Sequence, residues 1–261
     1  MQHCDNSITV TFHQLAVGLD DIVWCNRETS MTNFVLMGDV HSIFSRFKRA
    51  LSFIVDNIQD YHLVMLGDVF DSRCDESDSV AVYRAIRQLQ DEGKVTLIHS
   101  NHQWKLQRYL RGNPVKIDES LQRTLDDFAY SDVSSNELMD WLVTLPFAVA
   151  FKGADDLEYR CSHAYFSSKL YVPKQYDGIY TVNEVSRHMR DKLIYGVLNS
   201  DNNRIQWWDQ ESKHDWIRCG GHYHRVSISY GNKSIVLDSC CGDNDGILTI
   251  FDVNSRALHQ F

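Results

Sequence analysis

Proline is scarce in this sequence, 3 residues among 261, which excludes a Pro-rich linker or a collagen-like chain. Long apolar runs are missing too: none approaches the ~18–20 residues that cross a bilayer. The opening stretch, 1–7, lacks the basic-then-apolar pattern of a secretory leader. The expectation is a cytoplasmic protein with no membrane partner. Paired cysteine spacing is absent: the seven cysteines stand at 4, 25, 74, 161, 219, 240 and 241. An odd, scattered set without C-x-x-C is neither a disulfide framework nor a zinc finger, so most read as small hydrophobes in a reducing compartment. Positive charge is in deficit, 26 Lys and Arg against 35 Asp and Glu for a net charge of −9. That balance argues against binding long duplex nucleic acid, where affinity comes from neutralising phosphates. A small phosphorylated ligand stays open, because bound cations neutralise one phosphate locally.

What the chain does contain is strand-length apolar runs alternating with helical periodicity. Phe34 to Met37 reads as a buried strand ending at Gly38-Asp39. Phe44, Phe47, Leu51, Ile54, Val55 and Ile58 then follow near i, i+3, i+4, i+7 spacing, the pattern of an amphipathic helix. His62 to Leu66 is a second strand ending at Gly67-Asp68, and a helix from about Ser79 to Gln90 stops near Gly93. A third strand, Val95 to Ile98, runs into Ser100-Asn101-His102. This β-α-β-α-β order predicts parallel strands with crossover helices. Asp118 to Leu145 reads as mainly helical. Beyond Phe147 the pattern turns to strands at 147–151 and 157–162, a helix near 183–195, and strands at 216–219, 226–230, 235–237 and 247–251. The last three are expected to be antiparallel neighbours. Residues 1–30 form an amino-terminal extension with a loosely readable strand at Ile8–Phe12, and 31–261 read as one domain.

Five short segments place Asp, His and Asn just past strand ends: Gly38-Asp39-Val40-His41, Gly67-Asp68-Val69-Phe70-Asp71, Ser100-Asn101-His102, Ser162-His163 and Gly221-His222-Tyr223-His224. A lone Asp-x-His or a Gly-Asp turn is commonplace. The first three, however, recur at successive strand ends, where open α/β sheets place their ligands. Carboxylate, amide and imidazole donors together suit Mn, Fe, Zn or Ni.

In this order the segments resemble the GDxH, GDxxD, GNH, H and GHxH blocks of the calcineurin-like metallophosphoesterases, from about Phe34 to Phe251. Asp39 and Asp68 are separated by 29 positions, a gap usual in the phosphoprotein-phosphatase branch. Residues 100–113 resemble the phosphatase module of bacterial polynucleotide kinase-phosphatases. Val236 to Gly242 resembles the late strand and turn of phosphoprotein phosphatases and diadenosine tetraphosphate hydrolases. The resemblance implies an α/β fold with two mixed β-sheets packed as a sandwich and flanked by helices. It also implies two divalent ions, manganese first, with iron, zinc or nickel as alternatives. Asp39, His41 and His224 would hold one ion, Asp68 would bridge, and Asn101, His163 and His222 would complete the other. His102 would be the general acid, oriented by Asp71; Arg73, one place past the position where phosphoprotein phosphatases carry an arginine, is expected either to contact substrate in its stead or to be a surface arginine. The implied reaction is hydrolysis of phosphate monoesters, on phosphoprotein or on a nucleotide or nucleic-acid end, by in-line attack of a hydroxide shared by the ions. A phosphodiesterase or dinucleoside polyphosphate hydrolase is the alternative, and a catalytically silent binding module is the rival of another class.

Four positions depart from the family pattern: Ser100 for glycine, Gln103 for an acidic residue, Ser72 for arginine, and Ala164-Tyr165 after His163. Trp207, Trp208 and Trp216 are expected to pack in a core more readily than to stack on a nucleobase. Lys105, Arg108 and Arg111 lie on one face of a short helix, as a solvated face or a steering one.

Overall fold

The computed structural model describes residues 32–261. The extension and its expected strand at Ile8–Phe12 lie outside the described residues. Eleven strands and six α-helices follow. Strands β1 (Asn33–Met37), β2 (Tyr61–Met65) and β3 (Val95–Leu97) alternate with helices α1 (Phe44–Asn57) and α2 (Ser79–Asp91). Helices α3 (Asn101–Leu110), α4 (Glu119–Ala129) and α5 (Ser135–Thr144) precede β4 (Ala148–Lys152), β5 (Glu158–Ser162) and β6 (Ile179–Val182). After α6 (Arg187–Tyr195) come β7 (Ile217–Gly220), β8 (Val226–Ser229), β9 (Ser234–Leu237), β10 (Thr249–Asp252) and β11 (Ala257–Gln260).

Two mixed sheets result, ordered β11-β10-β1-β2-β3 and β6-β4-β5-β7-β9-β8. The period of two along β1 sends Phe34 and Leu36 to one face and Val35 and Met37 to the other. Phe34 and Leu36 join Val149, Phe151, Ile217 and Ile235 in the core between the sheets, where the Phe34 and Phe151 rings stack at 4.1 Å. Val35 and Met37 join Phe47, Ala50 and Ile54 of α1 in the core beneath the helices. The second sheet buries its other face against α6 through Leu193 and Ile194. The fold is therefore the expected sandwich flanked by helices.

The apolar pattern identified most elements, but not their partners. β8 and β9 form the expected antiparallel hairpin. β10, expected beside them, instead pairs antiparallel with β1 in the other sheet, because hydrophobic alternation says which faces are buried and not which edge a strand joins. β6 and β11 are short and half-exposed, too weakly patterned to predict. Adjacent Cys240 and Cys241 lie in the turn after β9. Of the described residues, no helix is long and apolar enough to cross a membrane.

One feature of the topology positions the site. β1, β2 and β3 run parallel, and so do β5, β7 and β9. Each set delivers its carboxyl ends to one edge, and all five expected segments begin at such an end.

Candidate metal centre

The loops leaving these strands are forced into unusual backbone. His41, Ser42, Asp68, Asp71, His222, His224 and Cys240 all have φ between 42° and 71°, the left-handed region that costs non-glycine residues free energy. So many outliers in one place signify loops held in shape by their contacts to aim side chains inward. Gly67 adopts φ +112°, and a Cβ there would meet the His163 ring at 2.7 Å. At Gly221 a Cβ would lie 2.1 Å from Asp39 Oδ1, so glycine alone lets the two loops approach.

Asp68 is at the centre. Its Oδ2 lies 3.2 Å from His163 Nε2, 3.8 Å from His102 Nε2 and 4.0 Å from His41 Nε2. Burial alone would raise its pKa, but His163, His102 and His41 outweigh burial and hold the carboxyl well below its ordinary range. The rings are oriented from behind. His163 Nδ1 donates to the Leu66 carbonyl at 2.9 Å, which fixes the tautomer and turns the lone pair of Nε2 inward. That lone pair faces Asn101 Oδ1 at 2.7 Å and His222 Nδ1 at 3.1 Å. His41 is fixed the same way, its Nδ1 3.1 Å from the carbonyls of Phe70 and Asp71.

This crowding of acceptors fits a divalent cation. Asp39 Oδ1 and His222 Nε2 are buried with no hydrogen-bond partner, while Asp39 Oδ2 accepts from the His222 amide at 3.0 Å. Among protein groups alone, burial followed by Asp238 and Asp68 drives the Asp39 carboxyl well above its ordinary range. Burial and His163 push His222 down to about 2. Buried carboxylates among imidazoles, with acceptors aimed at one another, are what a bound cation satisfies. Asp68, His163 and His222 offer donor atoms that all lie within 4.8 Å of one another, and so do His41, Asp68 and His102.

Two expected residues sit apart from that cluster. His224 is exposed and groups with Cys240 and Asp243, its Nδ1 3.3 Å from Cys240 Sγ. Arg73 lies beside it, 3.5 Å from His224 Nε2 and 3.4 Å from Asp243 Oδ1. His102 opens α3, with its Nδ1 donating to Asp71 Oδ2 at 2.7 Å. Burial lowers its pKa, but Asp68 and Asp71 raise it further, to about 9.

Two residues of the site had no role in the sequence reading. Asp238 is buried, accepts from the amides of His224 at 2.6 Å and Cys240 at 3.0 Å, and so folds the turn that carries both. Its position directly after the apolar run of β9 was the available signal. Thr124, on α4, donates to Asp71 Oδ1 at 2.9 Å, and nothing in sequence joins residues so distant. Two of the departures from the family pattern, Ser100 and Gln103, are locally satisfied. Ser100 caps α3 by accepting from the Gln103 amide, as serine does at a helix start, and Gln103 Nε2 donates to the Ile98 carbonyl at 3.3 Å. Trp207 and Trp208 are buried, as packing residues, and Lys105 pairs with Asp118 at 2.6 Å.

A bis(5′-nucleosyl)-tetraphosphatase of Bacillus subtilis is 30% identical over 220 residues, covering 79% of this chain and 85% of that protein. Its Bacillus velezensis counterpart is 39% identical over 66 residues, a match spanning 25% of each chain. A solved protein provisionally described as a diadenosine tetraphosphatase superposes with TM-score 0.58 at 16% identity, covering 89% of this chain and 94% of that one, a likeness of fold. The calcineurin-like phosphoesterase model matches residues 32–251, so the chain belongs to that family and is a metal-dependent phosphoesterase.

Proposed function

We propose that this chain removes phosphate from phosphate monoesters, on phosphoprotein or on a nucleotide or nucleic-acid end. Asp39, His41, His224, Asp68, Asn101, His163 and His222 would serve as donors to two divalent ions, manganese first and iron, zinc or nickel next. When bound, such ions lower the pKa of water and neutralise phosphoryl charge. The observation that carries the reading is the His102–Asp71 pair. Asp71 accepts a hydrogen bond from the Nδ1–H at 2.7 Å and leaves Nε2, 3.8 Å from Asp68 Oδ2, directed at the cluster. There His102 can protonate the oxygen of a departing alcohol, a contribution of ~10²–10⁴-fold. Asp71 keeps the ring in one tautomer and favours its charged form. Arg73, at the rim, would hold a phosphoryl oxygen as a guanidinium does.

A second reading, cleavage of dinucleoside polyphosphates, is supported by the similarity to a tetraphosphatase over 220 residues. The test is turnover of p-nitrophenyl phosphate and bis-p-nitrophenyl phosphate by metal-stripped protein resupplied with Mn, Ni, Zn or Mg. Monoester activity that returns with metal and is lost in Asp68→Ala supports the proposal. A preference for the diester overturns the monoesterase assignment, and folded, metal-loaded protein with no turnover of either ester favours a silent binding module.

A further inference from the structure

The Trp207–Trp208 pair and the Ala164-Tyr165 departure meet at one place behind the metal centre. A single 3₁₀ turn, Trp207–Asp209, buries Trp207 to 1% exposure against the loops that carry His163 and His222. Its indole Nε1 donates to the carbonyl of Ala164, the residue after His163, at 2.9 Å. The ring reaches the other loop at Gly220, just ahead of Gly221-His222. A Cβ there would stand 3.2 Å from Cζ2 of the tryptophan and 3.2 Å from the His163 carbonyl. The Gly221 amide donates to that same carbonyl at 2.8 Å, so the indole braces the two loops where they are already joined. Tyr165 and Tyr223 pack on the tryptophan pair as well, the Tyr223 ring 4.6 Å from that of Trp208. Tyr165, standing where the family pattern has a small residue, is one wall of this brace.

Arg218 holds the turn in place. Among the described residues it is the one lysine or arginine that is buried, and its hydrogen bonds go to carbonyls. Its Nη2 donates to those of Trp207 at 2.9 Å and Gln210 at 3.2 Å. The guanidinium lies 5.1 Å over the Trp207 ring, and Nε is buried with no partner. Burial lowers the pKa of this cation. Its charge-assisted bonds to the end of a short turn, with the ring face beneath it, offset part of the lost solvation. β7 carries Arg218 and leads straight into the His222 loop, so one strand fixes both the tryptophan and a donor it braces. We propose that Trp207 is a positioning residue that sets the separation of His163 and His222, and that Arg218 locks it there. The inference rests on the donor assignment of the proposed function and adds residues that touch neither ion nor substrate. His163 Nε2 and His222 Nδ1 stand 3.1 Å apart, a gap that a shift of either loop would open. Partners behind metal donors typically contribute about 10–100-fold in metal affinity.

Calorimetric titration of metal-free protein with Mn²⁺ tests this without turnover. The wild type should take up two ions per chain. Trp207→Phe keeps most of the ring and removes the N–H, and it should weaken one ion by about 10–100-fold while the other stays near its wild-type affinity. Arg218→Met should act in the same direction, and Arg218→Lys, whose ammonium can still donate to the carbonyls, should recover part of the loss. At a Mn²⁺ concentration that just fills both wild-type sites, electron paramagnetic resonance should show a coupled pair in the wild type and an isolated ion in Trp207→Phe. Circular dichroism shows whether each variant is folded, and the Arg218 variants carry the test if Trp207→Phe is not. Folded variants that bind both ions as the wild type does, even with a lowered melting temperature, make Trp207 a packing residue and overturn the proposal. An equal loss at both ions overturns it too. A wild type that binds no Mn²⁺ overturns the donor assignment, and the proposal with it, so the two failures are distinguishable.

Discussion

Thr124 Oγ1 donates to Asp71 Oδ1 across 2.9 Å, and the same hydroxyl accepts the Asp71 amide at 3.1 Å. The pair is buried, and Asp71 holds φ 67°, so α4 clamps both the conformation and the direction of the carboxylate that orients His102. Thr124→Val keeps the shape and removes both bonds. A bond to a charged acceptor is worth about 1.5–3 kcal/mol, so kcat should fall about tenfold while Thr124→Ser stays near wild type. A defect of positioning should deepen as the leaving group becomes more basic. A uniform loss across leaving groups would make Thr124 merely structural.

His102 should be needed in proportion to the basicity of the departing oxygen. A p-nitrophenolate leaves without a proton, whereas an alkoxide does not. His102→Gln is expected to slow hydrolysis of an alkyl phosphate by ~10²–10⁴-fold and of p-nitrophenyl phosphate far less. Rates across a series of aryl and alkyl phosphates check this. An equal loss for every ester would remove His102 from the acid role and leave it as a contact of Asp68.

Gly221 is where two loops nearly touch. A methyl group there would stand 2.1 Å from Asp39 Oδ1, too close for either atom to remain. Gly221→Ala is therefore predicted to turn the Asp39 carboxylate aside and to lower metal content, with a loss of affinity of at least about tenfold. Circular dichroism should stay close to wild type, since both loops lie outside the strands. Metal analysis after dialysis against a weak chelator is the measurement, and full occupancy would show that Asp39 is not a donor.

Much of the frame was readable because periodicity reports burial. The runs before Asp39 and Asp68 had strand length and no polar interruption, the run before Ser100-Asn101 was broken only by Thr96, and the helices between them repeated at 3.6 residues, so parallel order followed. Asp39 and Asp68 were readable for the same reason, each standing just past an apolar run, whereas His163 follows the mixed run Glu158 to Ser162 and was legible only through the order of the segments. Contacts between distant segments were not. Thr124 meets Asp71 through the packing of α4, and β10 crosses to β1, and neither choice leaves a trace in local spacing.

His99 gives a prediction at acid pH. The ring is buried, stacks on Phe147 at 5.0 Å and lies with Nε2 2.8 Å from Gln107 Oε1. Burial lowers its pKa from 6.5 to about 4. The unfolded chain takes up a proton below about 6.5, whereas the folded chain resists until about 4. Stability from His99 is thus complete above pH 6.5 and is lost as pH falls toward 4, a gap worth about 3 kcal/mol. His41 and His222 also have lowered values, so the wild-type curve alone cannot isolate one ring. His99→Gln keeps an amide donor for Gln107 and cannot titrate. Urea unfolding should find the variant less stable at pH 7, and that deficit should shrink by about 2 kcal/mol at pH 5. A deficit identical at both values would mean that the folded state accommodates the charged ring, and the buried, neutral assignment of His99 would fall.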